Sequence, residues 1–307
     1  MQDIIRKPLD FDFIFLSYRE SCADKNFLDL KKKVPHAKRV HGVKGFSAAH
    51  KKAASIANTE WFFTVDADSI IYEDWIKNST VKVPSFDGCV CWKAYNPILF
   101  SSYGNGGLKL WNKKFLEELR SHEDVDEKNK HLKIDFCYDN RYIHINQLAG
   151  ETDPFHSSQA SFSSGFREGL KLIKDARFDT KNDVHSLPKE NKAAWIKWTN
   201  LTLLLDRRFS SWGSFGARFS TLNLLTIKNY KETFINQIDD LYSLQEKLEK
   251  EFGKPFSKKW LEYYEYMGKC IENITGIRMC TIIRDSRSSS FLEDFLNFYK
   301  KEGIIDV

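Results

Sequence analysis

The stretch GFSAAHKKAASIANTEWFFTVDAD, residues 45–68, decides the fold. Residues 46–58 read as an alanine-rich helix, and Trp61, Phe62, Phe63 and Val65 then form an apolar run of strand length. A strand apolar on both sides belongs to a sheet covered on both faces. Working outward, residues 11–17 are a second short apolar run, residues 23–33 an amphipathic helix and residues 38–41 another strand. Strand, helix, strand, helix, strand at these lengths predicts an α/β fold with a parallel, Rossmann-like sheet. In such sheets the ligand lies beyond the carboxyl ends of the strands, so the residues just after each strand are the ones to inspect.

Asp-x-Asp occurs three times, as Asp10-Phe11-Asp12, Asp66-Ala67-Asp68 and Asp124-Val125-Asp126. Context separates them. Asp66-Ala67-Asp68 follows directly on an apolar strand, whereas Asp10 and Asp12 precede theirs, and Asp124 and Asp126 lie in a charged stretch. Two carboxylates on a short turn suit a hard divalent cation such as Mg2+ or Mn2+, which bridges diphosphate oxygens.

From about Lys189 the texture becomes helical. In residues 231–252, Phe234, Ile238, Leu241, Leu244, Leu248 and Phe252 keep spacings of three and four and form one apolar stripe. Trp195 and Trp198 mark the core face of another helix, and Phe291, Phe295 and Phe298 a last one. The expected organisation is residues 1–185 as the sheet domain and 186–307 as a helical C-terminal domain or extension.

With 307 residues, 42% hydrophobic and 29% charged, the chain can bury a sizeable core, which excludes a disordered or collagen-like chain. Apolar runs fall far short of the ~20 residues of a membrane span, and no secretory pattern opens the chain. Its six cysteines lack paired Cys-x-x-Cys spacing and read as reduced thiols. A soluble, cytoplasmic protein without a membrane partner is the expectation. Net charge is +5, and Lys31, Lys32, Lys33, Lys38, Arg39, Lys44, Lys51 and Lys52 fall within residues 30–59, where there is no acid. Such a block lies naturally near phosphates or forms solvated helix faces.

Residues 12–68, with DFIFLSYRES at the first strand and the stretch quoted above, resemble the nucleotide-binding half of GT-A fold glycosyltransferases of the family-two type. The resemblance implies a nucleotide-sugar donor, with Ser17, Tyr18, Arg19 and Glu20 holding nucleobase and ribose, and Asp66 and Asp68 over the diphosphate and metal. His50 and Lys51 replace the family's usual Arg-Asn pair, His50 being carried as a donor contact. Lys44, in His41-Gly42-Val43-Lys44-Gly45, stands where a loop lysine meets donor phosphates. Residues 103–111, YGNGGLKLW, resemble the glycine turn and strand flanking acceptor and donor sugar, which makes Gly106, Gly107, Lys109 and Trp111 acceptor candidates; a tight hairpin turn is the alternative. The resemblance implies Asp135, in Ile134-Asp135-Phe136 where family-two inverting enzymes carry the carboxylate that takes the acceptor's proton, as the general base, with Asp139 close by. In Pro154-Phe155-His156 the imidazole is a candidate third metal ligand, and in SGFREG, residues 164–169, Arg167 is a phosphate contact and Glu168 a second catalytic candidate.

The strings HGVKG, NGGLKLW and SGFREG together also resemble glycosyltransferases of tailed phages of the T-even kind, several of which put sugars, arabinose among them, on hydroxymethylated cytosines of their own DNA. That implies duplex DNA carrying 5-hydroxymethylcytosine as acceptor, in a host cytoplasm. The basic block and the aromatic-basic strings Trp195-Ile196-Lys197-Trp198 and Arg207-Arg208-Phe209-Ser210-Ser211-Trp212 agree with it, the alternative being that the aromatics are core and the charges solvate helices. The rivals are the same enzyme class with a glycan, lipid-linked or protein acceptor, a non-catalytic nucleic-acid-binding protein on a transferase fold, and a nucleotidyltransferase.

Overall fold

The structure is a computed structural model that describes residues 4–96, 101–102, 106–119, 139–173, 187–204, 209–227, 230 and 238–279. The chain divides into two compact units, Met1–Asp153 and Pro154–Val307.

The first unit contains, in order, β1 (Ile4–Arg6), β2 (Asp12–Ser17), α1 (Ala23–Lys33), β3 (Lys38–His41), α2 (Phe46–Ile56), β4 (Trp61–Asp66), β5 (Ser69–Ile71), α3 (Glu73–Asn78), β6 (Val81–Val83), β7 (Cys89–Asn96), β8 (Ser101–Ser102), β9 (Leu108–Asn112), α4 (Lys113–Glu118) and β10 (Tyr142–Thr152). β1 pairs with β6, and the main sheet runs β3-β2-β4-β9-β7-β10-β5 with β8 against β7. The expected strands and helices over residues 11–66 are all present. The parallel pairing expected for the strands of residues 11–66 is present, within a sheet that is mixed as a whole. β3, β2 and β4 are parallel, but β9 inserts antiparallel between β4 and β7, β7 and β10 are parallel again, and β5 is antiparallel to β10. An antiparallel neighbour needs no crossover helix, so no helix pattern announces it.

The apolar runs of β2 and β4 have a two-sided cause. Phe13, Phe15, Phe63 and Val65 pack with Leu30 of α1 and Trp75 of α3, while Ile14, Leu16 and Phe62 pack with Ala53 of α2 and Phe115 of α4. Each fully buried phenylalanine contributes about 1.5–3 kcal/mol. Asp12, which opens β2, accepts from the Asn58 backbone N–H and lies 3.4 Å from Lys38 Nζ. Its place is therefore structural.

The second unit holds α5 (Ser158–Lys171), α6 (Lys189–Leu204), α7 (Ser210–Thr226), α8 (Ile238–Phe252) and α9 (Lys258–Thr275) around Phe162, Phe166, Trp195, Trp212, Phe215, Trp260 and Tyr264. α8 buries Leu241 and Leu248 of the expected stripe, while residues 231–237 with Phe234 lie outside the described residues, as do Phe291, Phe295 and Phe298. Trp195, Trp198 and Trp212 are all buried, and Trp195 Nε1 donates to Thr221 Oγ1 at 3.0 Å. These indoles are core, which bears out the core-face reading of Trp195 and Trp198 and leaves them unavailable as a DNA-facing aromatic cluster; Arg207 and Arg208 lie outside the described residues. No helix among the described residues is long and apolar enough to cross a membrane.

Candidate functional site

The parallel strands β3, β2 and β4 bring His41, Ser17 and Asp66 to one carboxyl edge, with Ser17 paired to His41 and Leu16 to Asp66. The Asp66-Ala67-Asp68 turn leaves this edge and is pinned from three sides. Ala67 is buried, and its carbonyl accepts from Asn26 Nδ2 at 2.8 Å and from the Cys22 thiol at 3.6 Å, both near the start of α1. Asp66 N–H donates to the Gly107 carbonyl at 2.9 Å, and Asp153 N–H donates to the Asp68 carbonyl at 2.8 Å. The backbone of the turn is thus held by groups that are not the carboxylates.

That leaves negative charge concentrated. Burial first, then the charges of Asp66 and Glu20, push the Asp68 carboxyl up to about 7, against the opposing hydrogen bonds of its own N–H and of the Thr152 side chain. The Cys22 thiol is pushed up to about 12 by burial and by Asp68. Asp66 has a cation of its own. Lys109 Nζ lies 3.3 Å from Asp66 Oδ2 and donates to the Gly106 carbonyl at 3.1 Å. Burial works against the Lys109 charge, but Asp66 together with Cys91 and Cys89 outweighs it and holds the ammonium above its ordinary value.

The acceptor candidates therefore take other places. Lys109 is buried against Asp66, and Trp111 is fully buried with Nε1 donating to Thr64 Oγ1 at 2.8 Å. A Cβ on Gly106 would stand 2.2 Å from the Trp92 carbonyl oxygen, and one on Gly107 1.9 Å from Ser69 Oγ. These two glycines are required by close protein packing at the end of β4, which corrects their reading as ligand-facing; Tyr103, Gly104 and Asn105 lie outside the described residues. His50 is likewise corrected from donor contact to core: it is buried, its Nδ1 bonds the Phe46 carbonyl at 2.9 Å, and its ring lies 5.2 Å from that of Trp111.

Of the residues after β2, Ser17 is buried and its Oγ accepts from Arg39 Nε at 2.8 Å. Tyr18 N–H donates to Glu20 Oε2 at 2.7 Å, and the Arg19 guanidinium lies 5.1 Å from the Tyr18 ring centroid. Lys44 is exposed in the loop between β3 and α2. Asp135 lies outside the described residues. His156, Arg167 and Glu168 belong to the second unit, where His156 precedes α5, Arg167 is half-buried on it, and Glu168 Oε1 lies 3.6 Å from Lys171 Nζ. Among the described residues no group of three or more His, Cys, Asp or Glu side chains is assembled to hold a metal ion.

Sequence reading did not single out Asn26, Thr152, Asp153 or the partnership of Lys109 with Asp66. Asn26 left a signal, because it shares the buried face of α1 with Ala23 and Leu30 and is a polar residue in an apolar stripe. The others are non-local and left none.

Replacing Lys109 by Met leaves Asp66 without its cation. The expected loss of stability is smaller than the ~3–5 kcal/mol of a fully buried broken pair, because the Asp66 side chain is 40% exposed. Denaturant titration of K109M, D66N and the double variant checks this. Additive single effects in the double variant show that the two groups do not interact.

No protein-family model matches the chain, and no curated protein sequence matches it. Among solved structures it is similar to the mannosyltransferase PcManGT from Pyrobaculum calidifontis in complex with GDP-Man and Mn2+, at 13% identity over 87% of this chain and 86% of that one, with a TM-score of 0.32. It is also similar to the glycosyltransferase GlyE of Streptococcus pneumoniae TIGR4, at 11% identity over 76% of this chain and 63% of that one, with a TM-score of 0.30. The α/β class expected from the sequence is borne out by the strand order and register.

Proposed function

We propose that the protein is a GT-A glycosyltransferase that moves a sugar from a nucleotide-sugar, a UDP-sugar by first choice, to an acceptor hydroxyl. The observation that carries this reading is the acidic turn at the carboxyl ends of parallel strands, where burial, with the charges of Asp66 and Glu20 added to it, pushes Asp68 to about 7. Hard oxygen donors with excess negative charge fit Mn2+ or Mg2+. Asp66 and Asp68 would hold the cation, which would supply charge neutralisation to the donor diphosphate.

The chain's own residues do the rest. Lys109 holds one Asp66 oxygen in place, and the short segment 17–20 borders the nucleoside. Lys44 is proposed as a contact of the donor phosphates. In the transfer, the acceptor oxygen bonds to the anomeric carbon, the bond from that carbon to the diphosphate breaks, and the acceptor proton passes to Asp135, with Glu168 as the second candidate. The domain division at residues 185 and 186 belongs to the same proposal.

For the acceptor we propose 5-hydroxymethylcytosine in duplex DNA. The support is the basic block: Lys32, Lys44, Lys51 and Lys52 are exposed, and α2 carries no acid to offset its share. The target base would leave the stack to reach the sugar. The test incubates the protein with Mn2+, a panel of UDP-sugars and DNA containing or lacking 5-hydroxymethylcytosine, followed by nucleoside mass spectrometry. A sugar-sized gain on the hydroxymethylated base alone is the expected result. Free UDP without any modified nucleoside moves the acceptor to a glycan, lipid-linked or protein class, and neither product defeats the transferase reading.

A further inference from the structure

Beside the acidic turn, the same edge carries a polar network that the proposed function leaves unassigned. Arg39 on β3 lies over Phe15 and Phe27, with its carbon 5.8 and 5.5 Å from their ring centroids. Asp24 binds its Nη1 at 2.6 Å, which fixes the guanidinium plane. From that position Nε donates to Ser17 Oγ at 2.8 Å, and Nη2 lies 3.3 Å from Nδ1 of the exposed His41. Ser17 Oγ lies 2.9 Å from the same nitrogen.

The protons of this network can be assigned. A guanidinium only donates, so His41 Nδ1 must accept from Arg39. With Nδ1 an acceptor, the Ser17 hydroxyl, which itself accepts from Arg39 Nε, directs its proton at Nδ1. A neutral imidazole that accepts at Nδ1 carries its proton on Nε2. Since Nδ1 is turned inward to Ser17 and Arg39, the exposed side of the ring presents an N–H donor.

This donor stands at the end of β3, two strands from Asp66 at the end of β4. With adjacent strands ~4.8 Å apart, the separation is roughly 10 Å, the reach of an extended nucleoside from its base to its phosphates. Ligands of such sheets lie along this edge.

We infer that His41, oriented by Arg39 and Ser17, reads the nucleobase of the donor through Nε2–H at the 4-position of a pyrimidine or the 6-position of a purine, and so selects the carbonyl that uracil or guanine offers there over the amino group of cytosine or adenine. Two facing donors leave each other unpaired, and that mismatch is the source of the discrimination. The inference rests on the donor being a nucleotide-sugar, as proposed above.

The test is calorimetric binding of UDP, GDP, CDP and ADP to the full chain with Mn2+. UDP or GDP is expected to bind at least about tenfold more tightly than both CDP and ADP. His41→Asp, which replaces a donor by an acceptor at an exposed position, is expected to remove or invert that preference, and Ser17→Ala to narrow it by releasing the ring. Equal binding of all four, or a preference that H41D leaves unchanged, overturns the assignment of His41 while the transferase reading stands. Failure of all four to bind overturns the nucleotide-sugar reading and this inference with it.

Discussion

Asp68→Asn is expected to abolish transfer and, in the absence of divalent cations, to make the protein more stable at pH 8. The two effects share one cause. With its carboxyl raised to about 7 by burial and by Asp66 and Glu20, folded Asp68 keeps a proton that the unfolded chain releases near the ordinary carboxylate value. Between about pH 4 and pH 7 the folded state therefore binds more protons than the unfolded state, and stability falls as pH rises through that window. Above it the charged carboxylate destabilises the fold by an amount on the order of a few kcal/mol, which a bound cation relieves. In scanning calorimetry without cation, the wild-type unfolding temperature should drop by several degrees from pH 5 to pH 8, while that of D68N stays nearly level. Mn2+ should restore the wild type at pH 8 and leave D68N unmoved. Transfer should fall by about 100-fold or more in D68N, the scale of losing a group that stabilises developing charge. An equal pH slope in the two proteins refutes the raised carboxyl, and equal stabilisation by Mn2+ removes Asp68 from the proposed metal site.

The second large effect lies in the helical unit. Gly165→Ala on α5 adds one methyl group in the middle of a helix, where alanine is intrinsically favoured over glycine by ~1 kcal/mol. Here the sign is expected to reverse. A Cβ on Gly165 would lie 1.8 Å from the Gly213 carbonyl oxygen of α7, an atom that cannot rotate away. The same seam continues at Gly216, where a Cβ would meet the Phe162 carbonyl oxygen at 2.4 Å, and at Gly169, where it would meet that of Ala217 at 2.6 Å. Separating two helices already packed this closely opens the contacts of Phe162, Phe166 and Phe215. A loss above the usual ~1–3 kcal/mol for overpacking is expected, about 10 °C in unfolding temperature. Gly276→Ala is the comparison. That residue ends α9 in the left-handed region at φ +72° with nothing within 4 Å of a Cβ, so only ~1 kcal/mol of backbone strain is expected. If G165A instead stabilises by the helix-propensity increment, the two helices do not approach as closely as the structure places them.

The sequence by itself determined the elements of residues 11–66, the acidic turn and the helical character of the C-terminal part. All three are local. Apolar residues recurring every two or every three to four positions report which faces are buried, and a turn directly after a buried strand reports where the sheet delivers its ligand groups. Tertiary structure alone decided the antiparallel insertion of β9, which brings Lys109 to Asp66 across 43 positions of chain. It also decided that Gly106, Gly107, His50 and Trp111 serve packing, and that Arg39, Ser17 and His41 join in one network. Strand register and charge pairing depend on which distant segments come together. Their energies belong to contacts that no window of sequence contains, and YGNGGLKLW therefore reads as a glycine turn and strand beside a ligand, while only the folded chain shows that strand inserted in the centre of the sheet.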